Sequence, residues 1–262
     1  MRRSRSFWII LGICIAGYPD PALEAKDASG GMALISAGAF TPLYPDPKES
    51  KPWVPAFRLD LYPVTNEDFL NFVTENPQWQ RSRIKPIFAD ASYLKRWNAN
   101  LKTGDRFSYH APVTFVSWFA ANAYCRWKKK RLPSVDEWEY AASHYEVSLD
   151  EIKDRILGWY ERPSSAKPKP VGSTFKNKWG VYDLHGLVWE WTSDFNSSMI
   201  SDESQLFCGG SSAGSSDTKD YAAFMRYAFR SSLEARYSVG NLGFRCASEA
   251  KSEDAKSEME RQ

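Results

Sequence analysis

The chain has 262 residues, 43% of them hydrophobic and 15% aromatic, which is enough to bury one substantial core, and its length favours one domain over two. Its 34 basic and 32 acidic residues leave a formal net charge of +2, so the one-signed field that nucleic acid or an anionic membrane surface would need is missing, and neither is an expected partner. Eleven tryptophans suit a core and a ligand cleft equally and decide for neither.

Arg2, Arg3 and Arg5 precede the apolar run 7–17 and the stretch YPDPALEA with its small Ala25, the three parts of a signal peptide over residues 1–25. The run is shorter than the ~20 apolar residues that span a bilayer, and no later segment exceeds it, so no membrane span is expected after cleavage. Ile13 sits where a small residue precedes a lipid-modified cysteine, which speaks against acylation of Cys14. Cleavage removes those three arginines with Asp20 and Glu24 and leaves the charge near balance. The expected location is periplasmic or secreted. In that oxidising setting Cys125, Cys208 and Cys246 are most simply read as one disulfide and one thiol.

In chain order, MALISAGAF (32–40) alternates like a strand that ends in a Gly turn, and VPAFRLDLYPV (54–64) is a second strand running into a proline. Thr65 caps a predicted helix with Phe69, Phe72 and Val73 on one face. Ser117 caps a second, in which Trp118, Ala121, Asn122 and Cys125 recur at i, i+3, i+4 and i+7. SVDE (134–137) is a capping box after Pro133, and Trp138, Ala141 and Ala142 follow on one stripe. Cys125 therefore points inward and is a candidate partner for Cys246, with a lone buried thiol acting as a small hydrophobe as the alternative. The Pro-rich ERPSSAKPKP reads as a surface loop, and the Gly-punctuated stretches NKWGVYDLHGLVWEW, CGGSSAG and VGNLGF make turns. Residues 26–247 thus form one irregular α+β domain. The mixed-charge stretch 248–262 reads as a solvated tail.

Within DLHGLVWE, Asp183 and Glu190 flank a Gly turn whose carbonyls at Gly186 and Val188 could converge into an oxygen cage for a hard cation, calcium being the ion such donors suit. The alternative is two solvated carboxylates beside a pair of core tryptophans. His110, His144 and His185 lack ligand spacing, so no three-histidine iron site is expected, and His185 is placed to cover the loop rather than to act as a base.

Three ordered blocks carry a resemblance: PVTFVSWFAANAYCRWKKKRLPSVDEWEYAA (112–142), WGVYDLHGLVWEWTSDF (179–195) and NLGFRCA (241–247). Together they resemble the formylglycine-generating enzyme, or sulfatase-modifying factor, family over nearly the whole mature chain. The resemblance implies an irregular α+β fold related to C-type lectin-like folds, a Cys125–Cys246 disulfide, and structural calcium on Asp183, Gly186, Val188 and Glu190. A second calcium site of the family has no counterpart here.

The resemblance also exposes departures. The family's oxidative chemistry rests on two cysteines in the pattern RGGSxxC, four residues, C, a pair of soft thiolates that holds Cu(I). In CGGSSAGSSDTKDYAAFMRYAFR (208–230) those places fall on Asp217 and Ala222, and Cys208 stands where the pattern has arginine; in the earlier DLHGLVWE turn, Leu187 replaces the Asn that usually follows Gly186. Copper is not expected. The implied role is an exported maturation factor acting on an exported protein, peptide or small molecule, with Trp189, Ser211, Tyr221, Arg226 and Arg230 as cleft residues and Cys208 as an outside candidate. The alternative is a non-catalytic ligand- or peptide-binding accessory protein using the same cleft. A lectin-like sugar binder rests on fold analogy alone.

Overall fold

The computed structural model describes residues 31–42, 50–104, 109–143, 148–160, 169–196, 229–230 and 232–251. Residues 1–25, Cys208, Ser211, Asp217, Tyr221, Ala222 and Arg226 lie outside them. Among the described residues no helix is long and apolar enough to cross a membrane.

Strands β1 (Met32–Ile35), β4 (Phe57–Asp60) and β7 (Ala247–Glu249) form an antiparallel sheet in the order β1-β4-β7. Ala33 and Ile35 are buried from β1, and Phe57 and Leu59 from β4, the period-two signature of a half-covered sheet. The two long strands expected from the sequence are each shorter. Gly38–Ala39 forms a separate β2 that pairs with β3 (Trp53–Val54), and Pro55, which has no N–H to give a ladder, divides β3 from β4. At the other end the regular structure passes residue 247: Ser248 and Glu249 sit opposite Arg58 and Phe57.

Helix α1 (Asn66–Glu75) opens with a full capping box, in which Thr65 Oγ1 accepts from the Asp68 amide while the Asp68 carboxylate accepts from the Thr65 amide. It buries Phe69, Phe72 and Val73 as the spacing requires. Ser117 caps α2 (Trp118–Trp127), whose buried stripe is Ala120, Ala121, Tyr124 and Cys125. Trp118 and Asn122 are only half-buried, so the stripe is turned slightly from the expected one, with Cys125 still inside. A Ser134–Glu137 box starts α3 (Val135–Ser143).

A further helix, α4 (Leu149–Tyr160), was not expected. Its start repeats the same device, SLDE, with Ser148 and Glu151 bonded reciprocally, and Ile152 and Ile156 are buried one turn apart. The SxxE signal was there.

Two apolar clusters make the core. One gathers Phe69, Phe72, Tyr124, Trp191 and Phe244 around α1 and α2; the other packs Ile35, Phe57 and Leu59 of the sheet against Trp138 and Tyr140 of α3. Residues 244–247 serve both, since Phe244 and Cys246 face the first and Ala247 the second. Cys125 and Cys246 are bonded, with Cα atoms 5.6 Å apart and both side chains fully buried. Non-reducing peptide mapping should therefore return Cys125 cross-linked to Cys246 and Cys208 as an alkylatable thiol; Cys208 in a disulfide with either would contradict this.

Candidate functional site

The site is built on a two-residue parallel ladder, β5 (Trp189–Glu190) beside β6 (Leu242–Gly243). The Trp189 amide donates to Asn241 O and the Trp191 amide to Gly243 O, which fixes three successive side chains about this short pairing. A Cβ on Gly243 would lie 2.8 Å from the Val113 carbonyl oxygen, so the close approach of β6 to the backbone at Val113 requires glycine there.

Alternation along β5 sends Glu190 inward, where its side chain is fully buried. Arg245 Nε and Nη2 donate to its two oxygens at 2.8 Å each, and Trp138 Nε1 donates to Oε2 at 2.8 Å. The rest of the guanidinium is also used, Nη1 donating to Asp60 O and Leu61 O and Nη2 to Tyr182 O. Arg245 thus has an acceptor for each of its five N–H groups. Burial pulls the Arg245 pKa down, but the Glu190 charge and its hydrogen bonds outweigh that and hold it above the ordinary value. Every polar atom of the buried pair thus has a partner.

Asp183 lies in the left-handed region at φ +63°, and Gly186 follows at φ +94°, which folds this stretch back on itself. The Asp183 carboxylate is buried and accepts from the Gly172 amide, the Thr174 amide and the Thr174 hydroxyl. His185 is buried edge-on to Trp138 at 5.5 Å.

These contacts bear on whether calcium fits. A carboxylate offers about four acceptor positions, and the donors just named use all but one on Asp183 and on Glu190. With the Gly186 and Val188 carbonyls the loop could supply about four protein oxygens, where calcium takes about six to eight. Water would have to complete the shell. Among the described residues no three His, Cys, Asp or Glu side chains converge.

Beside the ladder an open cleft is walled by Trp138, Trp189, Trp191, Phe195, Phe229 and Arg230. Trp189 packs on Trp159 of α4 at 4.9 Å and on Phe229 at 5.4 Å. At the start of α3, Asp194 accepts from the Val135 amide. The neighbouring Asp136 carboxyl is raised above its usual range by burial and then by repulsion from Asp194 and Glu139, with Arg230 pulling the other way.

Two of the six cleft residues expected from the sequence, Trp189 and Arg230, therefore meet in one cleft. Ser211, Tyr221, Arg226 and Cys208 lie outside the described residues. Sequence reasoning missed Arg245 as the partner of Glu190, and it missed Trp159. The first could have been suspected from NLGFRCA, where an arginine between a core Phe and a buried Cys requires an internal carboxylate.

An irregular α+β domain with a disulfide-pinned core and an aromatic cleft on a minimal ladder is the class of protein these observations define. The profile of the sulfatase-modifying factor enzyme 1-like domain matches residues 19–250, and the chain belongs to that family. It is 30% identical over 245 residues to the inactive C-alpha-formylglycine-generating enzyme 2 of Mus musculus, covering 75% of this chain and 76% of that one. It is 28% identical over 289 residues to the formylglycine-generating enzyme of Mus musculus, covering 83% and 75%. The solved structure of PvdO from Pseudomonas aeruginosa superposes with a TM-score of 0.49 at 21% identity, covering 84% of this chain and 94% of that one. A relative named inactive and one named simply as the enzyme match about equally well, so overall identity does not separate the two.

Proposed function

We propose that this chain is an exported maturation or accessory factor that handles an exported protein, peptide or small molecule in the aromatic cleft, and that it does not make formylglycine by a copper-dithiolate route. The observation that carries this is the accounting of its cysteines. The sequence holds four; Cys125 and Cys246 are bonded to each other, and Cys14 falls in the stretch read as a signal peptide. Cys208 remains, and one thiol is not a dithiolate. The places the family pattern gives to its cysteines carry Asp217, a hard oxygen donor, and Ala222, which has no donor, so Cu(I) finds no second soft ligand there.

The meeting of Trp189 and Arg230 in one cleft supports a retained ligand. Catalysis by different chemistry is the first reading; the lost thiols also favour a second, binding without turnover. Aerobic incubation of the mature protein with an extract of its own cell envelope separates them. A product that disappears with Arg230→Ala and persists with Cys208→Ser is expected for an enzyme using the cleft. A product that survives Arg230→Ala counts against the cleft, and an extract component bound but unchanged favours the second reading.

Calcium belongs to the proposal as a structural ion on the 183–190 turn, held by the Gly186 and Val188 carbonyls and the acceptor positions left on Asp183 and Glu190, with water beside them. Calcium should stabilise the fold by roughly 2.7 kcal/mol at a hundredfold excess over Kd, seen as a rise in melting temperature that chelator reverses. Asp183→Asn is the informative variant, because Glu190→Ala would strand the Arg245 charge. A wild-type melt indifferent to calcium withdraws the ion.

A further inference from the structure

We infer that the face formed by residues 81–88 and the outer side of α2 is a docking surface for another protein, and that the segment it takes is extended, with acidic and apolar side chains in alternation. This rests on reading the chain as a factor that handles an exported polypeptide, and it names where that polypeptide is held outside the cleft.

The apolar part of this face is held in place from several sides. Ile87 is 69% exposed and Phe88 36%. They end a turn closed by the Phe88 amide donating to Lys85 O, with Pro86 at the position where proline presets such a turn. Before the turn, the Ser82 amide donates to Asn100 Oδ1 and Arg81 Nη1 to Trp97 O; after it, the Asp90 amide donates to Arg236 O. An isoleucine left largely in water at that corner does little for the fold, whereas an apolar surface fixed in advance loses little freedom when a partner covers it.

Phe88 also begins a row of rings. It packs on Phe119 of α2 at 5.4 Å, Phe119 on Trp118 at 5.5 Å and Trp118 on Phe195 at 6.2 Å, and Phe195 is a wall of the cleft. Trp118 and Phe119 are half-buried, and Trp118 gives its indole N–H to Thr192 O, so it has only π surface and hydrocarbon left to offer. A chain that leaves the cleft along this row crosses Phe119 and arrives at Ile87 and Phe88.

The charge on the face selects the partner. Arg81, Arg83 and Lys85 are exposed on the same segment, and exposed Arg126 lies two turns beyond Phe119 on the same side of α2. Among the described residues none of them is in an ion pair. The acids of the adjoining segments are already engaged: Asp90 accepts from the Ser92 and Ser238 amides, and Glu234 is bonded to Arg236 and Tyr237. In a chain near overall neutrality, positive charge is thus gathered beside the exposed apolar pair, and carboxylates on a partner complement it. An anionic lipid surface shares the charge preference but matches the shape less well. Only Ile87 and Phe88 project, while the rings that continue the row lie half-buried along the surface, within reach of an extended chain and not of lipid tails.

The test is fluorescence anisotropy of the purified full chain with three labelled peptides of equal length. One repeats Glu-Leu-Asp-Phe, one carries lysine at the acidic places and one carries serine at the apolar places. The first is expected to bind at least about tenfold more tightly than either of the others, the factor that 1.4 kcal/mol represents, and to weaken as salt rises. Ile87→Ser should remove most of its advantage over the serine peptide, and Arg83→Glu with Lys85→Glu most of its advantage over the lysine peptide. Trp53→Ser, which takes away an apolar side chain exposed on β3, should leave both intact, with circular dichroism confirming that all the variants fold. Equal binding of the three peptides, failure of the first to bind, binding indifferent to Ile87→Ser, or phosphatidylserine vesicles bound in place of the first peptide overturns the inference. The reading of the cleft is decided separately, by whether the envelope-extract product depends on Arg230, because Arg83, Lys85 and Ile87 are not among the cleft's walls.

Discussion

Arg245→Met is expected to lower the stability of the fold by about 3 to 5 kcal/mol, the range for breaking a buried ion pair by removing one partner. The loss has two parts. Glu190 loses its cationic partner in a place with no solvent, and the carbonyls of Asp60, Leu61 and Tyr182 each lose a donor. Glu190→Leu alone should be comparably harmful, because it strands the guanidinium and removes the acceptor of Trp138 Nε1. Combined with Arg245→Met it should recover part of the loss, since two apolar side chains leave no uncompensated charge. Denaturant unfolding of the two single variants and the double variant gives the coupling directly. An Arg245→Met protein as stable as wild type would show that these bonds do not hold the domain together.

Removing the disulfide with Cys125→Ala and Cys246→Ala is expected to cost about 4 to 5 kcal/mol, because the bond spans 121 residues and the chain-entropy relation gives about 4.7 kcal/mol for a 100-residue loop. The effect falls mainly on the unfolded chain, which gains the conformations that the cross-link denies it. Comparison of urea midpoints for the oxidised protein and the double variant checks it. A loss below about 1 kcal/mol would mean that the unlinked chain is already held near closure, most directly by the β4–β7 pairing and the reciprocal bonds between the Arg131 and Ala247 backbones. Arg245 and Cys246 are adjacent, so the two sets of variants should not add.

What could be read in advance was what depends on neighbours in sequence. Thr65, Ser117 and Ser134 announced their helices because a cap bonds its own first turn. Ser148 announced α4 by the same signal, but the composition beyond it read as loop. The strands were legible as alternation and not as boundaries, which Gly38 and Pro55 set. Strand β7 was hidden, since a run of Ser, Glu and Lys resembles a solvated tail until β4 supplies a pairing partner and Arg131 engages Glu249.

The site divides in the same way. Trp189 and Arg230 followed from their blocks, and Asp183 and Glu190 from the turn between them. The partner that decides the state of Glu190 lies 55 residues away, and the ring that backs Trp189 comes from a helix not foreseen. Such pairings are decided by tertiary packing, to which local spacing is blind.

The measurement that bears most directly on the account is mass spectrometry of a sulfatase-type cysteine peptide incubated with the purified protein, Cu(I) and oxygen. The cysteine accounting predicts that the peptide keeps its thiol mass and that no aldehyde product forms, because Cys125 and Cys246 are bonded to each other and Ala222 cannot ligate copper. Conversion of the peptide to formylglycine at a rate comparable with an authentic formylglycine-generating enzyme run alongside would contradict it, and would mean that Cys208 acts with a second copper ligand.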